Sequence, residues 1–301
     1  FGKYHEAIKA FGSYLKDNAE PAPRRDALYM LGMSYYRTGV YSQVPVTLGE
    51  VTANKDALTQ NAYLHMGLAY LQLADKNKAR MAFEQAAASD ADLKIKEQAS
   101  YNNALCIHET SYSAFGESVT VFENFLNEFP NSAYADKVSS YLVEVYMNTR
   151  SYDAALKSIE RITHPGRAIL EAKQKILFQL GTQSFANTQF EQAIGCFNQS
   201  IALGGYNLQT KADALYWRGE SYYRLNRMQE AARNFNDYLS LTPQKNTEMY
   251  ALAYYNLAYI AFRKKDYATA QDRFLKFIQL RKAGDATVLA DAYNRVGDCY
   301  M

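Results

Sequence analysis

A short phrase repeats along this chain: Trp217-Arg218-Gly219-Glu220-Ser221-Tyr222 returns in weaker form as Met30-Leu31-Gly32-Met33-Ser34-Tyr35 and as His65-Met66-Gly67-Leu68-Ala69-Tyr70. No other feature restricts the fold as strongly. A unit of a few tens of residues cannot bury an apolar face alone, so copies in series must stack and cover one another. The expected product is a solenoid whose functional surface is shared by several units.

The glycine of the phrase serves as a reference slot. It is filled in turn by Gly32, Gly67, Ala104, Val143, Gly181, Gly219, Ala258 and Gly297, at spacings of 35, 37, 39, 38, 38, 39 and 39 residues. Small residues suit a point where one helix meets another closely. Three positions later stand Tyr35, Tyr70, Ile107, Tyr146, Ser184, Tyr222, Ala261 and Tyr300, one helical turn away on nearly the same face. A second helix in each unit carries a small residue followed four later by a large one: Ala79/Phe83, Ala155/Ile159, Ala193/Phe197, Ala231/Phe235 and Ala270/Phe274. That spacing puts both on one stripe facing the first helix. Ala7/Phe11 has the same form, which places Phe1 at the start of a second helix.

The clearest copy, Lys211 to Pro243, has Leu215, Gly219 and Tyr222 on one helix, Ala231 and Phe235 on the next, and Pro243 at its close. It resembles the tetratricopeptide repeat (TPR), a helix-turn-helix of about 34 residues with Gly, Tyr, Ala, Phe and Pro at set intervals. The resemblance covers essentially the whole chain and implies an all-α fold, a right-handed α-solenoid of stacked helix-turn-helix repeats. Residues 1–301 read as a single solenoid of about seven repeats, with only a second helix at the N-terminus and only a first helix at the C-terminus. The expectation is a slice cut inside a repeat at both ends, whose unpaired terminal helices offer complementary halves for head-to-tail self-association. Two units depart from the pattern. One has Val44/Leu48 with Pro45 between them, and in the other Ser118/Phe122 are displaced by two additional turn residues.

Composition narrows the partners. Lys and Arg total 33 against 31 Asp and Glu, and a net charge of +2 supplies no basic field for phosphate backbones, so nucleic acid is not expected. No apolar run approaches the ~18 residues that would span a bilayer, so this sequence holds no candidate transmembrane helix. All six prolines, Pro21, Pro23, Pro45, Pro130, Pro165 and Pro243, fall at expected turns or helix starts, and no linker interrupts the series. Cys106, Cys196 and Cys299 lie in different units and read as packing residues.

Convergent chemistry is not visible. His5, His65, His108 and His164 occupy separate units without a cluster at ligand spacing, so no metal is expected. No Gly-rich phosphate loop or Gly-x-Ser-x-Gly elbow occurs, and Gly204-Gly205 reads as a helix end and turn. The expectation is a protein that is not an enzyme and needs no cofactor.

In the TPR family the first helices line a concave channel for a peptide, with side chains six and three before the slot and one, four and five after it. Carried onto this sequence, those offsets give a partner-binding set of Tyr29, Tyr36, Arg37, Phe185, Tyr216, Glu220, Tyr223, Arg224, Tyr255, Tyr259, Phe262 and Arg263. The chain has 26 tyrosines, and a rigid ring with a polar tip suits recognition. Arg37, Arg224 and Arg263 each follow an aromatic residue, a pair able to stack and to grip a carboxylate or carbonyl. The carboxylate clamp of the chaperone-binding subset is not carried over, because its places hold Tyr29/Met33, Leu64/Leu68 and Tyr101/Leu105.

The stretch Val121 to Ala135, with Phe122, Phe125, Phe129, Pro130, Asn131, Ser132, Tyr134 and Ala135, resembles a signature of periplasmic TPR proteins of Gram-negative bacteria. Outer-membrane assembly lipoproteins and Tol-associated coordinators are among them. That resemblance implies a periplasmic or outer-membrane-associated setting, with the cytoplasm as the alternative. The expected function is a non-catalytic protein-protein interaction scaffold that holds a peptide segment or helix. Two other readings stay open: a regulatory or substrate-binding helical domain of a larger envelope enzyme, and a cell-wall glycan-binding module.

Overall fold

A computed structural model describes residues 2–17, 20–110, 116–281 and 286–301. Phe1 and the additional turn residues expected before Ser118 lie outside the described residues. The architecture is all-α. A lone α1 (Gly2–Asp17) precedes the pairs α2 (Pro21–Arg37) and α3 (Val44–Gly49), α4 (Ala57–Gln72) and α5 (Lys76–Ala87), and α6 (Leu93–Thr110) and α7 (Glu117–Glu128). Then come α8 (Ala135–Thr149) and α9 (Tyr152–Glu160), α10 (Arg167–Ala186) and α11 (Phe190–Ala202), α12 (Leu208–Arg224) and α13 (Met228–Leu241), α14 (Glu248–Arg263) and α15 (Tyr267–Leu280), and finally α16 (Ala286–Asp298). No strand occurs among the described residues. The chain divides into two compact units, Phe1–Val145 with Arg161–His164, and Tyr146–Glu160 with Pro165–Met301. Within each, helical hairpins stack in chain order, as in an α-solenoid.

The reference slot works by close approach. A Cβ at Gly32 would sit 2.4 Å from Leu48 Cδ2, and one at Gly67 or Gly181 would sit 2.5 Å from Cε1 of Phe83 or Phe197. At Gly219 the same distance to Phe235 is 3.0 Å. Each large residue follows its slot by sixteen, and Leu48, Phe83, Phe197, Phe235 and Phe274 are all fully buried. The glycines therefore let the first helix settle onto a side chain of the second, which a Cβ would hold away. In the irregular first pair, Pro45 stands in the opening turn of α3, where its missing N–H costs no helical bond, and Leu48 still reaches Gly32. Ser118 and Phe122 are buried as the displaced pair.

A second regularity closes the hairpins. Seven residues after the slot the backbone turns left-handed, with φ of 78° at Gly39, 60° at Ala74, 53° at Arg150, 60° at Thr188, 60° at Asn226 and 61° at Lys265. The next amide in most of these turns donates five residues back, as in Gln189 N–H to Ser184 O at 2.9 Å and Arg227 N–H to Tyr222 O at 2.8 Å. This Schellman geometry satisfies the last carbonyls of the first helix and reverses the chain. Gly39 and, less strongly, Asn226 have residue types that this conformation favours. Thr188 is β-branched and bears the largest steric penalty, so Thr188→Gly is expected to raise stability by about 1 kcal/mol. The check is the urea midpoint of the variant; an unchanged or lower midpoint would count against strain at this turn.

Clamps tie each hairpin to the link that follows. Gln60 is buried on α4, where Nε2 donates to Ala86 O at 3.1 Å and to Ser89 O at 2.6 Å, while Oε1 accepts from Asp92 N–H at 2.7 Å. Gln174 repeats the device on α10, donating to Asn207 O at 2.9 Å and accepting from Asn207 N–H at 2.8 Å. Arg25, in the same register on α2, donates from Nε to Val51 O at 2.9 Å and makes a bidentate pair with Asp56 at 2.8 and 2.7 Å. Those hydrogen bonds, with one from Thr59 N–H, hold the Asp56 carboxyl well below the usual carboxylate range.

Candidate functional site

The site is built on the first helices of two successive hairpins. The Asn207 side chain accepts from Thr210 N–H at 2.9 Å and caps α12, and Thr247 accepts from Tyr250 N–H at 3.2 Å and caps α14. Gly219 and Ala258 seat these helices on Phe235 and Phe274, which fixes the face each presents to the other. Between them lies an open cavity of about 520 Å³. Tyr216, Glu220, Tyr223 and Arg224 line it from α12, Leu252, Tyr255, Asn256 and Tyr259 from α14, and Val288 from α16.

Two carboxylates organise the polar groups of this cavity. Glu220 Oε1 accepts from Tyr216 OH at 3.1 Å and from Asn256 Nδ2. Asp291 Oδ2, on α16, accepts from Tyr255 OH at 2.7 Å and from Tyr259 OH. Arg295 Nε donates to Tyr259 OH at 3.2 Å and lies 3.5 Å from Asp291 Oδ1, while its Nη1 pairs with Asp298 at 2.6 Å. Burial raises the Glu220 carboxyl above its ordinary range, opposed by the hydrogen bonds from Asn256 and Tyr216 and by the charge of Arg224. Burial acts the same way on Asp291, but the two phenols and Arg295 outweigh it and hold that carboxyl below its usual value. Tyr216 and Tyr255 are pushed up, first by burial and then by the adjacent carboxylates.

Two tetratricopeptide repeat models match this chain, one over residues 1–42 and 178–246 and the other over residues 60–93 and 251–283, together more than half its length. The chain belongs to the tetratricopeptide repeat family. No curated protein sequence matches it. Among solved structures, this TPR chain is similar to a TPR2AB-domain:pHSP90 complex of yeast Sti1, at 13% identity and TM-score 0.49, covering 93% of this chain and 100% of the other. It is also similar to the C-terminal part of a TPR repeat-containing protein from Cytophaga hutchinsonii, at 12% identity and TM-score 0.40 over 89% and 99% of the two chains. A third is pilF of Pseudomonas aeruginosa, at 16% identity and TM-score 0.32 over 91% and 98%. The family assignment rests on the repeat models.

Of the twelve groove residues expected from TPR offsets, six converge on the cavity: Tyr216, Glu220, Tyr223, Arg224, Tyr255 and Tyr259. Tyr216 contributes mainly as core. It is 5% exposed and meets Phe235 and Tyr238 edge-on, because three before the slot points toward the second helix. Leu64 and Tyr101 stand at the same offset and are also buried.

Three of the residues four after the slot are half-buried stitches between elements, whereas Tyr223, at the same offset, lines the cavity. Tyr36 meets Tyr41 and His65, Phe185 meets Phe190 and Trp217, and Phe262 meets Tyr267 and lies under Arg295, all with separations of 5.0 to 5.9 Å. In each case one contact opens the next helical segment, for Tyr41 the single 3-10 turn Tyr41–Gln43 that leads into α3, and the other lies two before the following slot. Tyr29 is half-buried in the first core cluster, where desolvation raises its phenol pKa. Arg37, Arg224 and Arg263 are exposed, and Arg263 stands 6.0 Å over the Tyr223 ring.

Offset reading misses Asn256, Leu252, Val288, Asp291 and Arg295. Leu252 and Asp291 do carry a signal, since they stand six before Ala258 and Gly297, an offset of the family channel. Asn256 and Arg295, two before their slots, carry none.

Proposed function

We propose that this TPR chain is a scaffold without catalysis that holds an extended or helical segment of another protein across α12, α14 and α16. One observation carries the reading. Residues spaced for a TPR channel on two successive first helices converge, with Val288, on one open cavity that presents ring faces and the half-buried carboxylate of Glu220. Aromatic rings with polar tips provide large contact area at low cost in side-chain freedom. Membership of a family whose fold serves protein-protein interaction agrees with it.

The cell envelope is the setting proposed, on the strength of the Phe122–Ala135 signature. Its residues also have local work: Phe122 and Phe125 are buried, Tyr134 stacks on Tyr101 at 4.2 Å, and Ser132 Oγ accepts from Tyr134 N–H at 3.0 Å.

The test compares the wild-type chain with Tyr223→Ala in pull-downs from a bacterial envelope extract and a cytosolic extract. A protein retained by the wild type and lost by the variant is expected from the envelope extract, with little change in the variant's unfolding midpoint. Equal retention by both chains would remove the groove from the proposal, and retention only from the cytosolic extract would remove the envelope.

A further inference from the structure

We propose that the cavity between α12 and α14 is a receptor for one basic side chain, a lysine or an arginine, of the bound peptide; this rests on the groove reading given above. The argument begins with where the phenolic protons go. The Tyr216 hydroxyl donates its hydrogen bond to Glu220, and those of Tyr255 and Tyr259 donate theirs to Asp291. Asn256 spends an amide hydrogen on Glu220 as well. Four donors are thus turned onto the two carboxylates, and what these groups present to a ligand is mostly oxygen lone pairs and ring faces, beside the Tyr223 hydroxyl, the second Asn256 amide hydrogen and the Arg224 guanidinium. Lone pairs and ring faces both attract a cation.

Glu220 is the focus. Its Oε1 is shared by two donors, whereas its Oε2 accepts no hydrogen bond and the carboxylate forms no ion pair among the described residues. Burial penalises such a charge until a cation joins it. The neighbouring cations are otherwise engaged: Arg295 is held by Asp291 and Asp298, and Arg263 lies over Tyr223 and donates to Asn226. Arg224 is the exception. It is exposed, forms no ion pair among the described residues, and stands four residues after Glu220 on the same helix. In that position it competes with an incoming cation for Glu220, so the two residues make opposite predictions for mutation.

The experiment displays random short peptides to the full chain and measures the recovered peptides by fluorescence of Trp217, the chain's single tryptophan, which meets Tyr216 edge-on at 5.7 Å. Enrichment of Lys or Arg is expected. Affinity should fall about tenfold to a hundredfold in Glu220→Gln, the range for losing a charge-assisted hydrogen bond. It should fall likewise when the basic residue is replaced by norleucine or citrulline, and rise in Arg224→Gln. Glu220→Gln keeps an acceptor for Tyr216 and Asn256, and its circular dichroism should match the wild type. Arg224→Gln supplies an independent reading on an exposed position. Peptides without basic enrichment that bind the wild type and fail on Tyr223→Ala would overturn the receptor and leave the groove standing. Acidic peptides weakened by Arg224→Gln would do the same. Recovery of no peptide would overturn both.

Discussion

Phe197→Ala should lower the unfolding free energy by about 3–5 kcal/mol, the range for emptying a fully packed aromatic site. The ring is completely buried, packs beside Phe178 at 6.0 Å, and fills the space against Gly181 that no Cβ could share. A cavity there cannot collapse readily, because the ring is the side chain on which Gly181 of α10 rests and neighbouring hairpins hold both helices in place. Repeat stability is set by nearest-neighbour contacts, so the loss should fall on that hairpin and its neighbours first. Denaturant unfolding, followed with amide exchange on α10 and α11, checks both statements. A loss below about 1 kcal/mol would show that the slot does not position the hairpin. Leu275→Ala, on a side chain 39% exposed on α15, should change stability by no more than about 0.5 kcal/mol.

The second large effect comes from a residue that periodicity passes over. Gln174→Ala is expected to cost about 3 kcal/mol, since it strips both the donor and the acceptor from the Asn207 backbone as well as emptying a fully buried site. Asn207 also caps α12, so the damage should reach the helix that carries Glu220 and Tyr223. Faster exchange of the Asn207 amide, together with weaker capture of the partner, would report it. Gln199→Ala, an exposed glutamine on α11, serves as the comparison and should stay within about 0.5 kcal/mol. Equal effects from the two would mean that the clamp contributes nothing.

These two residues mark different degrees of legibility. Phe197 is visible in the sequence because it stands four after Ala193 and sixteen after Gly181, and the same spacing returns in other units. Gln174 recurs only once, as Gln60, too seldom to read as a pattern. Its register position is filled elsewhere by Arg25, Gln60, Ala212 and Ala251, and only the fold shows that the first two make related clamps. The left-handed turns were equally hidden. Gly39 and, less strongly, Asn226 announce one, whereas Ala74, Arg150, Thr188 and Lys265 share the conformation without a residue type that favours it. The hairpin geometry imposes that turn whatever the residue, and the packing of the two helices offsets the strain.

The candidate site was legible in part, for a similar reason. Offsets from the slot select Tyr216, Glu220, Tyr223, Arg224, Tyr255 and Tyr259, which the fold places around one cavity on two first helices. They do not separate a ring that faces the cavity from one that faces the core, as Tyr216 does, or from one that stitches two helices, as Phe185 does against Trp217. That difference depends on crossing geometry and on neighbours about one repeat away in the chain.

By itself, then, the sequence determined that this protein is a series of helical pairs, where each pair meets, and which small and large residues pack at those meeting points. Burial in a repeat depends on its own period and its nearest neighbours, and both are written in the spacing of small and large residues. The tertiary structure alone decided which aromatic residues remain available to a partner, and that Glu220 keeps an oxygen without a protein donor while Asp291 is bound by Tyr255, Tyr259 and Arg295. Those outcomes turn on hydrogen bonds between residues 32 to 36 positions apart. A proton on a phenol can go to any acceptor in reach, and only the packed arrangement of α12, α14 and α16 determines which acceptor is there.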